Sequence, residues 1–508
     1  MHEQMPFKVV FVFYNNFTAY SWSPAIQALS AYIKEHADCE TILIHISDKY
    51  DTSSEYTVII EKLRAAKPNL IAFTSTSFGY YQINELVGKI KKAFPRIPII
   101  LGGIHPTIKP DDLVSSNFDA FCIGEGEKPL LTLIQRMQKG EGYLDTPSFH
   151  FKANGCIIKN NLEPYEKDLD MLPPYDWDIF DTHKLLKLRQ GWISLSLSRG
   201  CPFNCNFCIN HKMKEIQGAK GYVRHRSVEF AMNELLDLIH RFPIKVFNFE
   251  DDILVSNRKW AIEFLSRYKR EIYERYSVRF KIEARVDIVK EDIIKELKES
   301  GCQEIQFGVE TGNHKLRNFI LNKNISDEQI LNAFSLCWKY RINTLAFVML
   351  GIPGETSDTI MDTVTMLSKI KPYLIRPSFI FPIYGTGFYN YCLQNNLLKE
   401  DILKHKSYLW TEGIPISLNE ISEDMLTRFM VLLPWYINVE LGLKEYEKLI
   451  KRYSSLDFID ISNKRVNFQF VLEEDKRQSL YFSENKIPHY RYGNDELSYL
   501  QYKFYDNN

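Results

Sequence analysis

The segment Ser198-Arg199-Gly200-Cys201-Pro202-Phe203-Asn204-Cys205-Asn206-Phe207-Cys208 constrains this 508-residue chain more than any other stretch. It carries three cysteines spaced C-x-x-x-C-x-x-C on a loop that follows the apolar run from Trp192 to Leu197. A cubane iron-sulfur cluster has four irons, and a loop this tight can ligate three of them while leaving the fourth open to something other than protein. Two plainer readings fit the same residues: a closed zinc site that borrows His211, or structural thiols. The other six cysteines, Cys39, Cys122, Cys156, Cys302, Cys337 and Cys392, are scattered through apolar or mixed surroundings and read as core or surface thiols.

The length predicts about three domains, and 45% hydrophobic with 25% charged residues is the balance of a globular protein with ample core. A formal net charge of -1 gives no electrostatic reason to bind nucleic acid or an acidic membrane surface. The partner expected is a small molecule or a peptide. The amino terminus lacks a basic segment followed by an apolar core, and no run approaches about 18 apolar residues, so the expectation is a cytoplasmic protein with no membrane span.

From residue 7 to 140 short apolar runs alternate with helical patterns: strands at 7–14, 40–47, 70–75, 97–101 and 120–123, helices at 24–36, 56–66, 82–94 and 128–137. This pitch predicts a doubly wound parallel sheet, whose ligands sit at the carboxyl ends of the strands. Three loops fall there: Thr74-Ser75-Thr76-Ser77, Gly102-Gly103-Ile104-His105-Pro106 and Gly124-Glu125-Gly126-Glu127. Glycines and small hydroxyls let backbone approach a bulky ligand, which suits many nucleotide or flavin sites equally well. A hairpin around Asn154-Gly155 and a proline-bearing linker from Glu163 to Asp181 follow.

From Trp192 the alternation resumes with strands at 192–198, 244–250, 279–285, 303–309, 343–350 and 374–381. Six strand-helix repeats are too few for a closed eightfold barrel and predict an open, partial one. Its strand ends carry Glu250-Asp251-Asp252, Lys281 through Asp287, Gly308-Val309-Glu310-Thr311-Gly312 and Gly351-Ile352-Pro353-Gly354-Glu355-Thr356. Consecutive carboxylates at the end of a buried strand are costly unless they meet a cation. Residues 391–508 are rich in tyrosine and charge, with a helical stretch near 420–453, a polar tail and no chemical motif; packing of a helical cap is favoured over a lined substrate pocket.

The cysteine loop, with Phe207 just before its last cysteine, resembles that of the radical S-adenosylmethionine (SAM) superfamily, and the later motifs occur in that family's order. The region before it, with Gly-Gly-x-His-Pro-Thr at 102–107, Asp111-Asp112 and Gly-Glu-Gly-Glu at 124–127, resembles the cobalamin-binding domain upstream of one branch of those enzymes. The resemblance implies an α/β chain: residues 1–145 as a Rossmann-like cobalamin-binding sheet, 146–190 as hairpin and linker, 191–388 as a partial (β/α)6 barrel, and 389–508 as a mainly helical, substrate-shaping cap. It implies a [4Fe-4S] cluster on Cys201, Cys205 and Cys208, and SAM against Phe207, Glu250, Asp251, Asp252, Glu283, Arg285, Glu310, Gly312, Gly351 and Pro353. Within that set Asp251 would meet the amino group and Arg285 the carboxylate, a guanidinium being a two-pronged match.

Cobalamin is expected against Tyr14, Asn15, Asn16, Thr74, Ser75, Thr76, Gly102, Gly103, His105, Gly124, Glu125 and Gly126. No Asp-x-His-x-x-Gly motif occurs, so the cofactor is expected base-off and without a histidine ligand, with His105 a loop-fixing hydrogen-bonder. Tyr384 stands where the family usually has proline after the sixth strand, which puts the substrate end in doubt. The activity implied is methylation of an unactivated carbon or phosphorus, with flavodoxin or ferredoxin as electron donor. Ring closure, ring contraction or oxidation without methyl transfer, and a non-enzymatic cobalamin sensor or carrier, are the competing readings.

Overall fold

The computed structural model describes residues 6–15, 21–47, 56–218, 220–399, 413–454, 459–460, 465–466, 469–493 and 499–502. The chain forms two compact units, one from residues 1–202 and 209–247, the other from 203–208 and 248–508.

In the first unit, strands β1 (Phe7–Asn15), β2 (Cys39–Ser47), β3 (Leu70–Thr74), β4 (Ile99–Gly102) and β5 (Ala120–Cys122) are joined by helices. β6 (Phe149–Ala153) and β7 (Cys156–Lys159) extend the same sheet, in the order β2-β1-β3-β4-β5-β6-β7. The first five strands are parallel and the last two antiparallel. Val9 to Val12 are buried without a break, as a central parallel strand covered on both faces requires. Ser23 caps the helix Pro24–His36 by accepting from Ile26 N, with Pro24 in the first turn.

The expected helix at 82–94 begins earlier, at Ser77, because Phe78 and Tyr80 are buried against the sheet. The hairpin expected around Asn154-Gly155 forms and extends the sheet: Asn154 and Gly155 turn with φ of 51° and 77°, and Ala153 pairs with Cys156. Strand order places the reversal between β1 and β3, and in open sheets the ligand crevice lies outside the strand ends at that point. Asn15 and Thr74 are the residues that end those two strands. This unit also holds β8 (Trp192–Leu195) and the short antiparallel pair β9 (Ser198–Arg199) and β10 (Arg224–His225).

After β11 (Val246–Phe249), the second unit continues with parallel β12 (Arg279–Ala284), β13 (Cys302–Glu310), β14 (Asn343–Leu350) and β15 (Leu374–Phe379), with helices between them. Residues 420–453 form two helices, Glu423–Glu440 and Glu445–Tyr453. Trp435, Tyr446, Tyr453 and Phe482 lie in the apolar core with Leu350 and Ile360, so these cap aromatics pack rather than line an opening. The polar tail expected after them contributes strands His489–Tyr492 and Tyr499–Tyr502, the latter antiparallel to β15.

Candidate functional site

At the carboxyl ends of the first sheet, three loops are stitched together by neutral groups. Ser75 N donates to Gly102 O at 3.1 Å and His105 N to Ser75 O at 3.1 Å. Thr107 Oγ1 donates to Gly103 O at 2.8 Å and accepts from Gly124 N at 3.0 Å. Gly103 has φ +98°, and a Cβ there would lie 2.8 Å from Thr74 Oγ1 and 2.9 Å from Ser75 O, so no other residue fits. Asn15 is buried and donates to Ser21 Oγ at 2.9 Å, Tyr14 is half-buried beside it, and Asn16 lies outside the described residues. Thr76 precedes the helix Ser77–Ala93, its side chain making no cap bond.

His105 is 1% exposed and stacked on Tyr80 with ring centroids 3.7 Å apart. Its Nδ1 faces Ser77 Oγ at 3.2 Å and its Nε2 the Asp112 carboxylate at 3.3 Å. Burial holds its pKa below the ordinary histidine value, with Asp112 opposing. Both ring nitrogens are thus turned to protein groups. Two residues expected against cobalamin are engaged within the fold. Glu125 accepts from Arg199 at 2.9 Å and Arg224 at 3.2 Å, and a Cβ on Gly126 would press on Leu29 at 3.2 Å, which accounts for that glycine by helix packing.

The three loop thiols form no disulfide and are half-buried, whereas of the other six five are buried and Cys156 is exposed. Burial pushes Cys39 up to about 11 and both Cys122 and Cys392 up to about 12, away from thiolate chemistry. Cys205 is also raised by burial, but Lys323 and Arg285 pull it back. Arg285 Nη1 lies 3.3 Å from Cys205 Sγ, a charged donor on the sulfur that favours the thiolate a metal needs. His211, the proposed fourth ligand of a zinc site, faces Glu215 at 3.5 Å. Among the described residues no three His, Cys, Asp or Glu side chains converge on a single metal ion. Three half-buried thiols on one loop, one of them beside a guanidinium, are the donor chemistry that an iron-sulfur cluster takes.

Arg285 is engaged within the protein. Its Nε and Nη2 grip the Asp287 carboxylate at 3.0 Å each, Nη2 also reaches Lys323 O at 2.8 Å, and the guanidinium lies 3.8 Å over the Phe203 ring. These contacts tie Arg285 to the cysteine loop and to the Lys323 turn.

Glu310 ends β13 with φ +65°, just past a register shift at Gly308, and its carboxylate pairs with the Lys323 ammonium. Both side chains are buried. A left-handed glutamate held by an ion pair is a strained strand end of the kind found at ligand sites. Lys323 also lies 5.9 Å over the Phe207 ring. Gly312 is explained by close approach, not by turn freedom: its N donates to Thr363 Oγ1 at 2.9 Å, and a Cβ would overlap the main chain of Asp362 and Thr363. Gly351, at φ +85°, donates from N to Glu355 Oε2 at 2.5 Å; Pro353 is buried beside it. Glu355 is fully buried and pushed up to about 8 by burial, the backbone donors opposing.

Glu250 and Asp252 are exposed and Asp251 is 1% exposed, with Glu250 accepting from Asn248 Nδ2 at 2.9 Å. Glu283 is open to solvent yet surrounded by enough protein that its carboxyl is held above the usual range; Lys281 opposes, and Glu250 and Asp252 add. Glu250, Asp252 and Glu283 are thus close enough for their charges to act on one another, with Lys281 and Arg376 opposing. Sequence reasoning missed Lys323, Asp287 and Phe203. The signal for Lys323 was the Asn-Lys-Asn turn, whose asparagines Asn322 and Asn324 have φ of 50° and 55°.

Residues 195–367 match the model of the radical SAM superfamily, and residues 18–134 match that of the B12 binding domain. An uncharacterized methyltransferase of Pyrococcus horikoshii is 28% identical over 349 residues, 68% of this chain and 73% of that protein. The anaerobic magnesium-protoporphyrin IX monomethyl ester cyclase of Rubrivivax gelatinosus is 26% identical over 69% of this chain and 63% of its own, so the chain spans less than two thirds of the cyclase's length. The radical SAM methyltransferase TsrM of Kitasatospora setae, solved with cobalamin and a [4Fe-4S] cluster bound, shares the fold at a TM-score of 0.63 and 16% identity, over 77% of this chain and 75% of that one. The chain thus carries a B12 binding domain and, after it, a radical SAM domain. No described helix is long and apolar enough to cross a membrane.

Proposed function

We propose that this enzyme methylates an unactivated carbon or phosphorus of a small molecule or peptide, drawing electrons from a flavodoxin or ferredoxin. The observation that carries the reading is the Arg285 guanidinium on Cys205, which prepares one thiol of a three-cysteine loop as a ligand; the methyltransferase names of the relatives support the outcome. Cys201, Cys205 and Cys208 would hold the cluster, and the loops after β1, β3 and β4 would hold cobalamin base-off, since both nitrogens of His105 face Ser77 and Asp112. When bound, the cluster would supply the electron that cleaves SAM and cobalamin would carry the methyl group. Glu310, fixed by Lys323, presents a carboxylate at the end of β13 for the SAM ribose or amino group. Asp251 and the neighbouring carboxylates Glu250 and Glu283 would receive its ammonium. Gly351, with Phe379 and Ile380 beside it, and Pro353 would meet the adenine.

The test is anaerobic reconstitution with iron, sulfide and hydroxocobalamin, then turnover with SAM labelled in its methyl group. Product carrying the label is expected; deoxyadenosine formed with no label in any product would favour the second reading, ring closure or oxidation, which the likeness to the cyclase motivates.

A further inference from the structure

We propose that Arg199 and Arg224 are positioning residues that hold the first candidate cluster ligand, Cys201, in fixed register with the loop closing the carboxyl end of β5. The proposal rests on the reading of that sheet end as the cobalamin site. Arg199 stands two residues before Cys201 on β9, and Arg224 is its register partner on β10. Arg199 donates from Nη1 to Glu125 at 2.9 Å and from Nη2 to Glu127 at 2.6 Å. Arg224 donates from Nη1 to Glu125 at 3.2 Å and from Nη2 to its other carboxylate oxygen. Two guanidinium groups and two carboxylates thus close a compensated network, and Arg224 and Glu127 are almost completely buried in it, their side chains 4% and 9% exposed.

The network sits on rigid supports. Arg224 also donates to the main-chain carbonyl of Glu166 and lies 4.3 Å over the Tyr165 ring. Gly200, the residue between Arg199 and Cys201, has φ +92°, and a Cβ there would meet Tyr222 O at 2.6 Å and the Tyr222 ring at 2.9 Å. The link from the clamp to the cysteine is therefore one residue long and packed against β10's approach, so a displacement of Glu125 or Glu127 reaches Cys201 with little slack. Burial works against the Arg199 charge, and Glu127 and Glu125 outweigh it; burial likewise opposes Glu127, and Arg199 with Arg224 outweighs that. A buried ion network gives little net stability over an apolar one, but a forked guanidinium fixes direction, which is the property a register device needs.

The experiment uses the full chain, the variants Arg199→Gln, Arg199→Lys and Glu125→Gln, and hydroxocobalamin as probe. Hydrogen exchange over residues 198–208 is followed with and without cobalamin, and the electron paramagnetic resonance spectrum of the reduced cluster is recorded in both states. In the wild type cobalamin is expected to slow exchange over 198–208 by about fivefold or more. Arg199→Gln should keep cobalamin but lose that slowing and show a cluster signal indifferent to cobalamin, with Arg199→Lys restoring part of the response. Should Arg199→Gln fail to fold, Glu125→Gln, which leaves the Arg199–Glu127 pair in place, is expected to weaken the response. Cobalamin retained by the wild type with no change over 198–208, or an undiminished response in the Gln variants, would overturn the proposal alone. A wild type that retains iron but no cobalamin would overturn the cobalamin reading and this one with it.

Discussion

The two parallel sheets use their carboxyl ends in opposite ways. In the first unit the loops after β3, β4 and β5 are closed on one another by main-chain and hydroxyl groups, Ser75, Gly102, Gly103 and Thr107, and the charges of Glu125 and Glu127 are matched by Arg199 and Arg224. In the second unit the corresponding ends carry charge: Glu250, Asp251, Glu283, Arg285 and Glu310. A large cofactor is recognised mostly by shape and by backbone approach, so its cradle is glycine and hydroxyl. A small zwitterion and a ligated metal cluster need local charge, and that charge must be braced by partners such as Lys323 and Asp287 because it stands in a half-buried place.

If the contrast is sound, the two ends fail separately. Cys205→Ala should have the largest effect, loss of the cluster with about four irons per chain falling toward none, while cobalt stays; iron analysis on the desalted protein decides it. Lys323→Met leaves Glu310 buried without its cation and should cost about 3–5 kcal/mol, read as a fall in the denaturant midpoint; Glu310→Gln added to it should recover part of the loss, and a purely additive pair would deny the bracing. Glu355 sharpens the contrast through pH. Its folded pKa of about 8 lies above that of an unfolded glutamate, so the folded chain holds the extra proton and stability falls as pH rises. The slope reaches about 1.4 kcal/mol per pH unit between pH ~5 and ~8. Glu355→Gln should flatten melting temperature against pH over that window, and an unchanged slope would reject the buried acid. Gly103→Ala should cost about 1–3 kcal/mol for a backbone conformation all but reserved to glycine, with the crowding of Thr74 and Ser75 added to it, and it should lower cobalt retention and spare iron; equal loss of both metals would break the comparison.

Much of this was legible because it is written in local pattern. The helix Pro24–His36 and the strand Asn343–Leu350 fall where apolar periodicity puts them, and the cysteine spacing and glycine turns mark the strand ends. What was hidden depends on partners distant in sequence. Nothing near Arg285 announces that it will meet Cys205, 80 residues earlier, and nothing near Arg199 announces Glu127, 72 residues earlier. Gly312 looked like a turn glycine because the helix main chain it touches comes 50 residues later. The strands His489–Tyr492 and Tyr499–Tyr502 were read as tail because their alternation of aromatic and polar residues, Tyr490, Arg491 and Tyr492 among them, is short and lies in polar surroundings. Burial of Tyr490 and Tyr499 is what makes them strands.

That last pairing has a consequence for how the protein is made. β15 has β14 on one side and Tyr499–Tyr502 on the other, so its outer row of amide and carbonyl groups stays open until the ribosome has delivered residue 502. During synthesis this sheet presents a bare template to which any passing strand can add. The tyrosine ribbon of His489–Tyr492 and Tyr499–Tyr502 is the stopper for that edge, and a chain cut just before it would be inclined to polymerise before it ever met a cofactor.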